Sequence, residues 1–461
     1  MKKLVGLLAA LALLPSAQAG ELAHSAEYRL RYQVDQDKDG VSGGQGSTND
    51  WKQRFKLGST FRSGEKLTGQ LTLLHNSTWG HSGLYQSPAT AVTGDSGLGT
   101  MDGTKNGENL VLVNEAYGSW MASNELLVRF GRGALAMADG RVIGVNDWGP
   151  TPNSFEGVLF TWDKEFARFN AYGVKFAQLL GSSVSGPSVS DPEINSYGLN
   201  VDWKTLPEFL KMVNLHVIQV NVDSDNSGSL IPAAAATATT PATPAASIPK
   251  ESRMRYGLVV SGDAMNVDYR LTYAAHTGKF SDLTAAGTTT DREGSMIDAE
   301  LGYRLPDWMN SRISFLYHTD TGDKDGATDN KLTTYDPYFY DRHDNAGWMD
   351  IYLWGNLTYM QLRYTMDIMD DLSFAAQYLI FSQTEKAGSN SAGVNGFSGA
   401  AAATSATEDV LGTELDLAVA KKYEGGLTIT ARAGMFSPGA EYLSTNSDAY
   451  TQLFLEGKMA F

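Results

Sequence analysis

The 461-residue chain contains no cysteine, so no disulfide staples it and no lipid anchor can be attached through a thiol behind its leader. Beyond residues 4–14 it has no apolar run approaching the ~20 residues that a membrane-spanning helix needs. If the chain lies in a membrane it therefore crosses as a closed β-barrel, the other architecture that satisfies every backbone polar group inside lipid. Positive charge is scarce too. The 36 Lys and Arg stand against 52 Asp and Glu, a formal net charge of -16, and an acidic chain is a poor match for nucleic acid. No nucleotide-binding motif or catalytic constellation stands out, and no cofactor is implied.

Glycine, aromatics and alternation are abundant: 48 Gly, 21 Tyr, 18 Phe and 9 Trp. Residues 126–162 show the pattern most plainly. Leu126, Val128 and Phe130 alternate with Leu127, Arg129 and Gly131, and further on Val158, Phe160 and Trp162 alternate with Gly157, Leu159 and Thr161. That is the period of two of strands with one apolar face. The Gly-rich connection between them, roughly two dozen residues, is far longer than a hairpin loop and carries Arg132, Arg141, Asp147 and Trp148. A long charged segment joining two membrane-type strands is where a barrel would narrow its channel.

Met1, Lys2 and Lys3, the apolar run 4–14, and Ala17 with Ala19 form the three parts of a secretory signal peptide cleaved after Ala19. The expected organisation is thus residues 1–19 as leader and 20–461 as a single barrel. Tyr28, Leu30, Tyr32 and Val34 alternate with Glu27, Arg29, Arg31 and Gln33, and similar runs recur up to residues 453–461. Residues 166–178 change phase, which suggests a bulge, and residues 348–366 read as one strand with a long lead-in. Short turns, as at Gly64, Asn124 and Gly425, alternate with nine long Gly/Asp/Ser/Thr-rich segments, among them 35–50, 133–154 and 320–347. The low-complexity tract 231–249 reads as the tip of one such loop. Short turns against long outer loops predict an all-β transmembrane antiparallel barrel of about eighteen strands, sixteen as the alternative, with both termini in the periplasm.

The final segment, Leu453 to Phe461, resembles the terminal strand of Gram-negative outer-membrane proteins, whose last aromatic residue, here Phe461, is recognised by the barrel-insertion machinery. Arg129-Phe-Gly-Arg132 with Gly140-Arg141 and Ser154-Phe-Glu-Gly157, and later Leu411-Gly-Thr-Glu-Leu-Asp-Leu417 with Ala433-Gly-Met-Phe-Ser-Pro-Gly439, is similar to the alginate-export and porin-like family of outer-membrane barrels. The resemblance implies an eighteen-strand barrel that carries an anionic polysaccharide or small solutes through an arginine-lined pore.

Charges on a lipid-facing strand cost a few kcal/mol near mid-membrane, so alternation directs them inward. The inward set includes Arg29, Arg31, Lys52, Arg54, Lys56, Arg129 and Arg432, with Glu414 and Asp416 among the acids. Such charges either set a field across the lumen or pair between neighbouring strands and stiffen the wall; around Lys52 to Lys56, where no acid is interleaved, the field reading is favoured. Asp35, Asp37 and Asp39, and less fully Asp223 and Asp225, have the spacing of half a calcium loop. Position twelve falls on Gly46 or Ala234, which cannot close such a loop. His343 and His75 read as polar loop residues.

The expectation is a passive outer-membrane channel for small hydrophilic solutes or ions. Its constriction is the loop of residues 133–154, with Arg129 and Arg132 just before it and Arg141 within it as positive side and Asp147 as counter-charge. The alternatives are a channel dedicated to an acidic polysaccharide, and a non-conducting surface barrel that binds partners through acidic loops. Partners are lipid, the insertion machinery and the solute; the oligomeric state is left open.

Overall fold

The computed structural model describes residues 20–41, 47–79, 111–178, 193–223, 251–281, 289–324, 329–337, 339–343, 345–385, 409–439 and 447–461. The expected leader, Asp225 and the tract 231–249 lie outside them, as does the side chain of Asp223.

Among the described residues nineteen strands follow in order: β1 (Gly20–Gln36), β2 (Thr48–Ser63), β3 (Leu67–Thr78), β4 (Val111–Met121), β5 (Leu126–Gly133), β6 (Phe155–Asp163), β7 (Ala167–Gln178), β8 (Glu193–Trp203), β9 (Leu210–Asp223) and β10 (Glu251–Ala264). They continue as β11 (Val267–Ser281), β12 (Thr289–Leu305), β13 (Ser311–Asp320), β14 (Lys331–Leu332), β15 (Leu357–Met369), β16 (Leu372–Gln383), β17 (Val410–Lys422), β18 (Leu427–Pro438) and β19 (Tyr450–Ala460). The two-residue β14 is a parallel bridge to β12 from within a loop. The other eighteen strands pair antiparallel with their neighbours, and β1 closes on β19 through Tyr28 opposite Met459 and Tyr32 opposite Leu455. Closure leaves no edge strand to pair with another molecule.

Period-two patterning sorts the side chains as a membrane barrel requires, apolar outside and polar inside. Phe160, Leu199, Leu301, Phe315 and Leu453 are exposed on the outside, whereas Arg54, Asp298, His318, Glu414 and Asp416 are buried inside. Trp120, Trp162, Trp203 and Trp308 are exposed near the short turns, and Tyr32, Trp51 and Trp79 stack near the long loops. Both sets suit the two interfacial girdles. The last residue meets the first strand, with Ala26 N and Phe461 O 3.1 Å apart, so the described chain ends lie at the short-turn side.

The register of β7 against β8 shifts between Lys175 and Ala177, the bulge that the phase change predicted. Residues 348–366 hold one strand with a long lead-in, as their pattern suggested: β15 begins at Leu357, and the preceding aromatic stretch folds into the lumen.

Candidate functional site: two joined loops inside the barrel

Among the described residues, two long connections enter the lumen. The first, residues 134–154, joins β5 to β6. Met137 and Ile143 form a small bridge, and Leu135, Met137, Val142 and Ile143 pack on Tyr172, Phe176, Ile218 and Val220 of the wall. An apolar underside thus sets its depth. Arg141 then reaches β12, donating to Asp298 at 3.0 Å and pairing with Asp139 of its own loop at 2.9 Å. Burial works against that guanidinium's charge, but the two carboxylates outweigh it and hold its pKa above the ordinary arginine value.

Further along, the same loop meets the opposite wall. Arg29 donates to the carbonyls of Asp147 and Gly149 at 3.0 and 2.8 Å, and Arg54 to the same carbonyls at 2.7 and 3.0 Å. The Asp147 carboxylate accepts from Arg54 at 3.1 Å and Lys56 at 2.5 Å. Burial raises its pKa, yet Arg54 and Lys56 more than compensate and leave it below the usual carboxylate range. Glu27 on β1 also pairs with Arg54, at 2.7 Å. The acid that is missing between Lys52 and Lys56 is thus supplied by a neighbouring strand and by the loop.

The second inward connection, residues 321–356, joins β13 to β15. Tyr335, Tyr340, Ile351, Tyr352 and Trp354 are buried against Leu379, Phe381, Leu411, Phe436 and Tyr450. Glu414 and Asp416 hold its backbone: Glu414 accepts from Trp348 N at 2.8 Å and Met349 N at 3.1 Å, and Asp416 from Trp348 N at 3.2 Å. Gly347 makes this possible. Its φ is +88° and an added Cβ would collide with the Glu414 carboxylate, a position open only to glycine. On the far wall Arg253 and Arg292 pair with Asp336 at 3.0 and 3.1 Å.

The loops are joined to each other. Gly144 N donates to Phe339 O at 2.6 Å and Asp341 N to Gly140 O at 2.9 Å. The Trp148 and His343 rings stack at 3.5 Å, 4° from parallel. The Arg31 guanidinium lies 3.7 Å from the Trp148 ring, and that of Arg432 lies 4.7 Å from it, which is cation–π geometry. His343 Nε2 accepts from Arg432, so its Nδ1 donates to Asp350, at 3.1 Å.

Of the residues singled out from sequence, Arg29, Arg31, Arg54, Lys56, Glu414, Asp416 and Arg432 thus all contact one of the two loops, and Arg141 and Asp147 belong to the first. Arg129 holds the base of the first, donating to Ala134 O at 2.6 Å beside Tyr117. Lys52 lies on the same face of β2 but is exposed. Arg132 must be corrected. Arg132 lies near the end of β5 in the outer phase of Val128 and Phe130, paired across the ladder with exposed Glu156 at 2.8 Å. It is not on the positive side of the lumen.

Asp35 is likewise not arranged for calcium. It is buried and accepts from Tyr450 at 2.7 Å, Gln452 at 3.0 Å and Gln33 at 3.0 Å. Among the described residues no three His, Cys, Asp or Glu side chains, Asp37 and Asp39 included, gather as a metal site. The sequence pattern did not disclose the second inward loop or the role of His343. Their signal was the density of Tyr and Trp in a segment too irregular to be a strand.

The sequence profile of the alginate export family matches residues 24–456. The chain belongs to that family. Among solved structures it resembles OccAB1 of Acinetobacter baumannii, with 12% identity, a TM-score of 0.59, and 95% of this chain and 96% of that one covered. It also resembles OccK2 (OpdF) of Pseudomonas aeruginosa in complex with glucuronate, at 11% identity, TM-score 0.56 and 96% of each chain. OpdK of the same organism, solved with vanillate, matches at 11% identity and TM-score 0.55 over 96% of this chain and 98% of that one. At such identities the likeness is one of fold. No curated protein sequence matches the chain. For this alginate export family member, the closed eighteen-strand wall and its apolar exterior make it an outer-membrane barrel of a Gram-negative bacterium.

Proposed function

We propose that the protein is a passive outer-membrane channel for small hydrophilic solutes or ions, with the two joined loops as its constriction. The observation that carries this reading is the junction itself. Hydrogen bonds and a ring stack link loops rooted on different parts of the wall, beside arginines of β1, β2 and β18. Arg29, Arg31, Arg54, Lys56 and Arg432 form the positive side of the passage, and Asp147 is its counter-charge. A field of this kind selects by charge while solutes move down their gradient; no catalytic step is involved, and the protein is not an enzyme. Glucuronate and vanillate, held by two structural neighbours, are small carboxylates and suit an arginine-lined passage.

Family membership favours a second reading, a channel dedicated to an acidic polysaccharide. The 1–19 leader would direct export, Phe461 would present the insertion signal, and the short turns with both termini would face the periplasm. Single-channel recording of the refolded protein under a salt gradient separates the readings. Stable openings that alginate leaves unchanged support the small-solute channel, and block by alginate but not by neutral sugars supports the polysaccharide reading. A folded barrel without conductance overturns both and directs attention to the outer loops.

A further inference from the structure

Beneath the first inward loop, near the short-turn end, the lumen contains a cavity of about 560 Å³, within the size range of small-molecule sites. Thr161 of β6, Asn170 of β7, and Asn200 and Asp202 of β8 line one side, and Ala136 and Ala138 of the loop cover it. Thr161 lies opposite Asn170 and Asn170 opposite Asn200, all in the inward phase. None of these residues belongs to the Asp147 clamp.

Asp202 organises the group. It accepts from Asn214 at 2.6 Å, Asn200 at 3.2 Å and Asn170 at 3.3 Å, and the Thr161 hydroxyl donates to the Asn170 carbonyl at 2.9 Å. Asn170 and Asn200, the two of these amides that line the cavity, are fixed on the carboxylate before any solute arrives, which lowers the ordering cost of binding. At the rim the charges close on each other: Lys164 pairs with Glu125 at 2.5 Å, Arg168 with Asp163 at 3.0 Å, and Lys204 with Asp163 as well. Away from these pairs the cavity wall carries Thr161, the amides of Asn170 and Asn200, and the Asp202 carboxylate that they bind. Each primary amide has two N–H donors and a two-lone-pair carbonyl, so the wall alternates donors with acceptors in the manner of sugar hydroxyls. Asp202 lies across the ladder from Arg168, which is itself paired with Asp163, so the carboxylate's charge still disfavours an anion in the same space.

We infer that this cavity is a subsite for a neutral polyhydroxylated solute of mono- or disaccharide size, distinct from the arginine-lined constriction. The inference deepens the small-solute reading and rests on it. Maltose is the probe, with gluconate as the anionic control, and binding to the refolded full-length barrel is measured by titration calorimetry. Saturable maltose binding with no comparable gluconate binding is expected. Asn200→Ala should weaken maltose about tenfold, the equivalent of one or two hydrogen bonds, and the near-isosteric Thr161→Val should weaken it about threefold. Arg132→Ala, on the outer wall, should leave it unchanged. Absence of maltose binding to the folded wild type, equal binding of gluconate, or wild-type affinity in both Asn200→Ala and Thr161→Val would overturn the subsite. The channel reading fails by a different observation, lack of conductance in salt alone, which maltose binding does not report.

Discussion

The two inward loops are anchored by different physics. Residues 134–154 have an apolar underside, but their far end is tied by charge, with Asp147 and two carbonyls held by Arg29, Arg54 and Lys56. Residues 321–356 are held chiefly by rings, Tyr340 on Trp354 and Tyr352 on Phe381, packed into one buried cluster. An ionic tie weakens with salt and with protonation, whereas apolar packing is insensitive to both. The first loop is thus the one that conditions can loosen, and the second is the fixed surface against which it closes.

The largest effect should come from the ring-held loop. Trp354 is 4% exposed and stacks on both Tyr340 and His318. Trp354→Ala should cost about 3–5 kcal/mol and produce wide, noisy openings. Chemical unfolding and single-channel traces check this, and wild-type values for both would erase the contrast between the loops. Asp147→Ala should cost less, about 1 kcal/mol, because the carboxylate is partly exposed and solvent screens it. It leaves Arg54 and Lys56 with one acid fewer, so the reversal potential in a salt gradient should move towards anions; an unchanged potential would remove Asp147 from the conduction path.

The pH response sharpens the same contrast. Asp147 has a folded pKa depressed below its ordinary 3.8. Its contribution is fully present above the unfolded value and is lost as pH falls through the folded one. Flicker that depends on the first loop should therefore be absent at pH 5 and appear only below about 3.8, and Asp147→Ala should not show that acid-induced step. Flicker that rises equally in wild type and variant would assign it elsewhere. The smallest effect belongs to Arg132→Ala. Its pair with Glu156 is on the outer wall, so stability should change by less than about 1 kcal/mol and ion selectivity not at all.

The barrel was legible because alternation is a local signal. Tyr28 to Val34 and Val158 to Trp162 declare their outer faces without any knowledge of neighbours, and the alternation of short turns with long loops yields the strand number. The first loop was legible in outline, since a stretch of arginine, aspartate and glycine between two lipid-facing strands is too polar for the bilayer and too long for a turn. Its partners were not. Arg29 and Asp147 are 118 residues apart, and their contact depends on where β1 lies once the barrel closes. Arg132 was misplaced because it was read with the charged connection that follows rather than with its strand, although its outer phase could be read from Phe130. The second loop went unrecognised because Trp348, Tyr352 and Trp354 look like girdle or strand residues in one dimension, and only the wall they bury against distinguishes them.

The most direct test of the constriction is single-channel conductance after excision of residues 135–153 and their replacement by a short Gly/Ser link, compared with wild type under one salt condition. If the joined loops narrow the passage, conductance should rise several-fold and the difference in flicker between pH 5 and pH 3 should vanish. Conductance equal to wild type from a folded, loop-deleted barrel would contradict the constriction and place the narrowing elsewhere in the lumen.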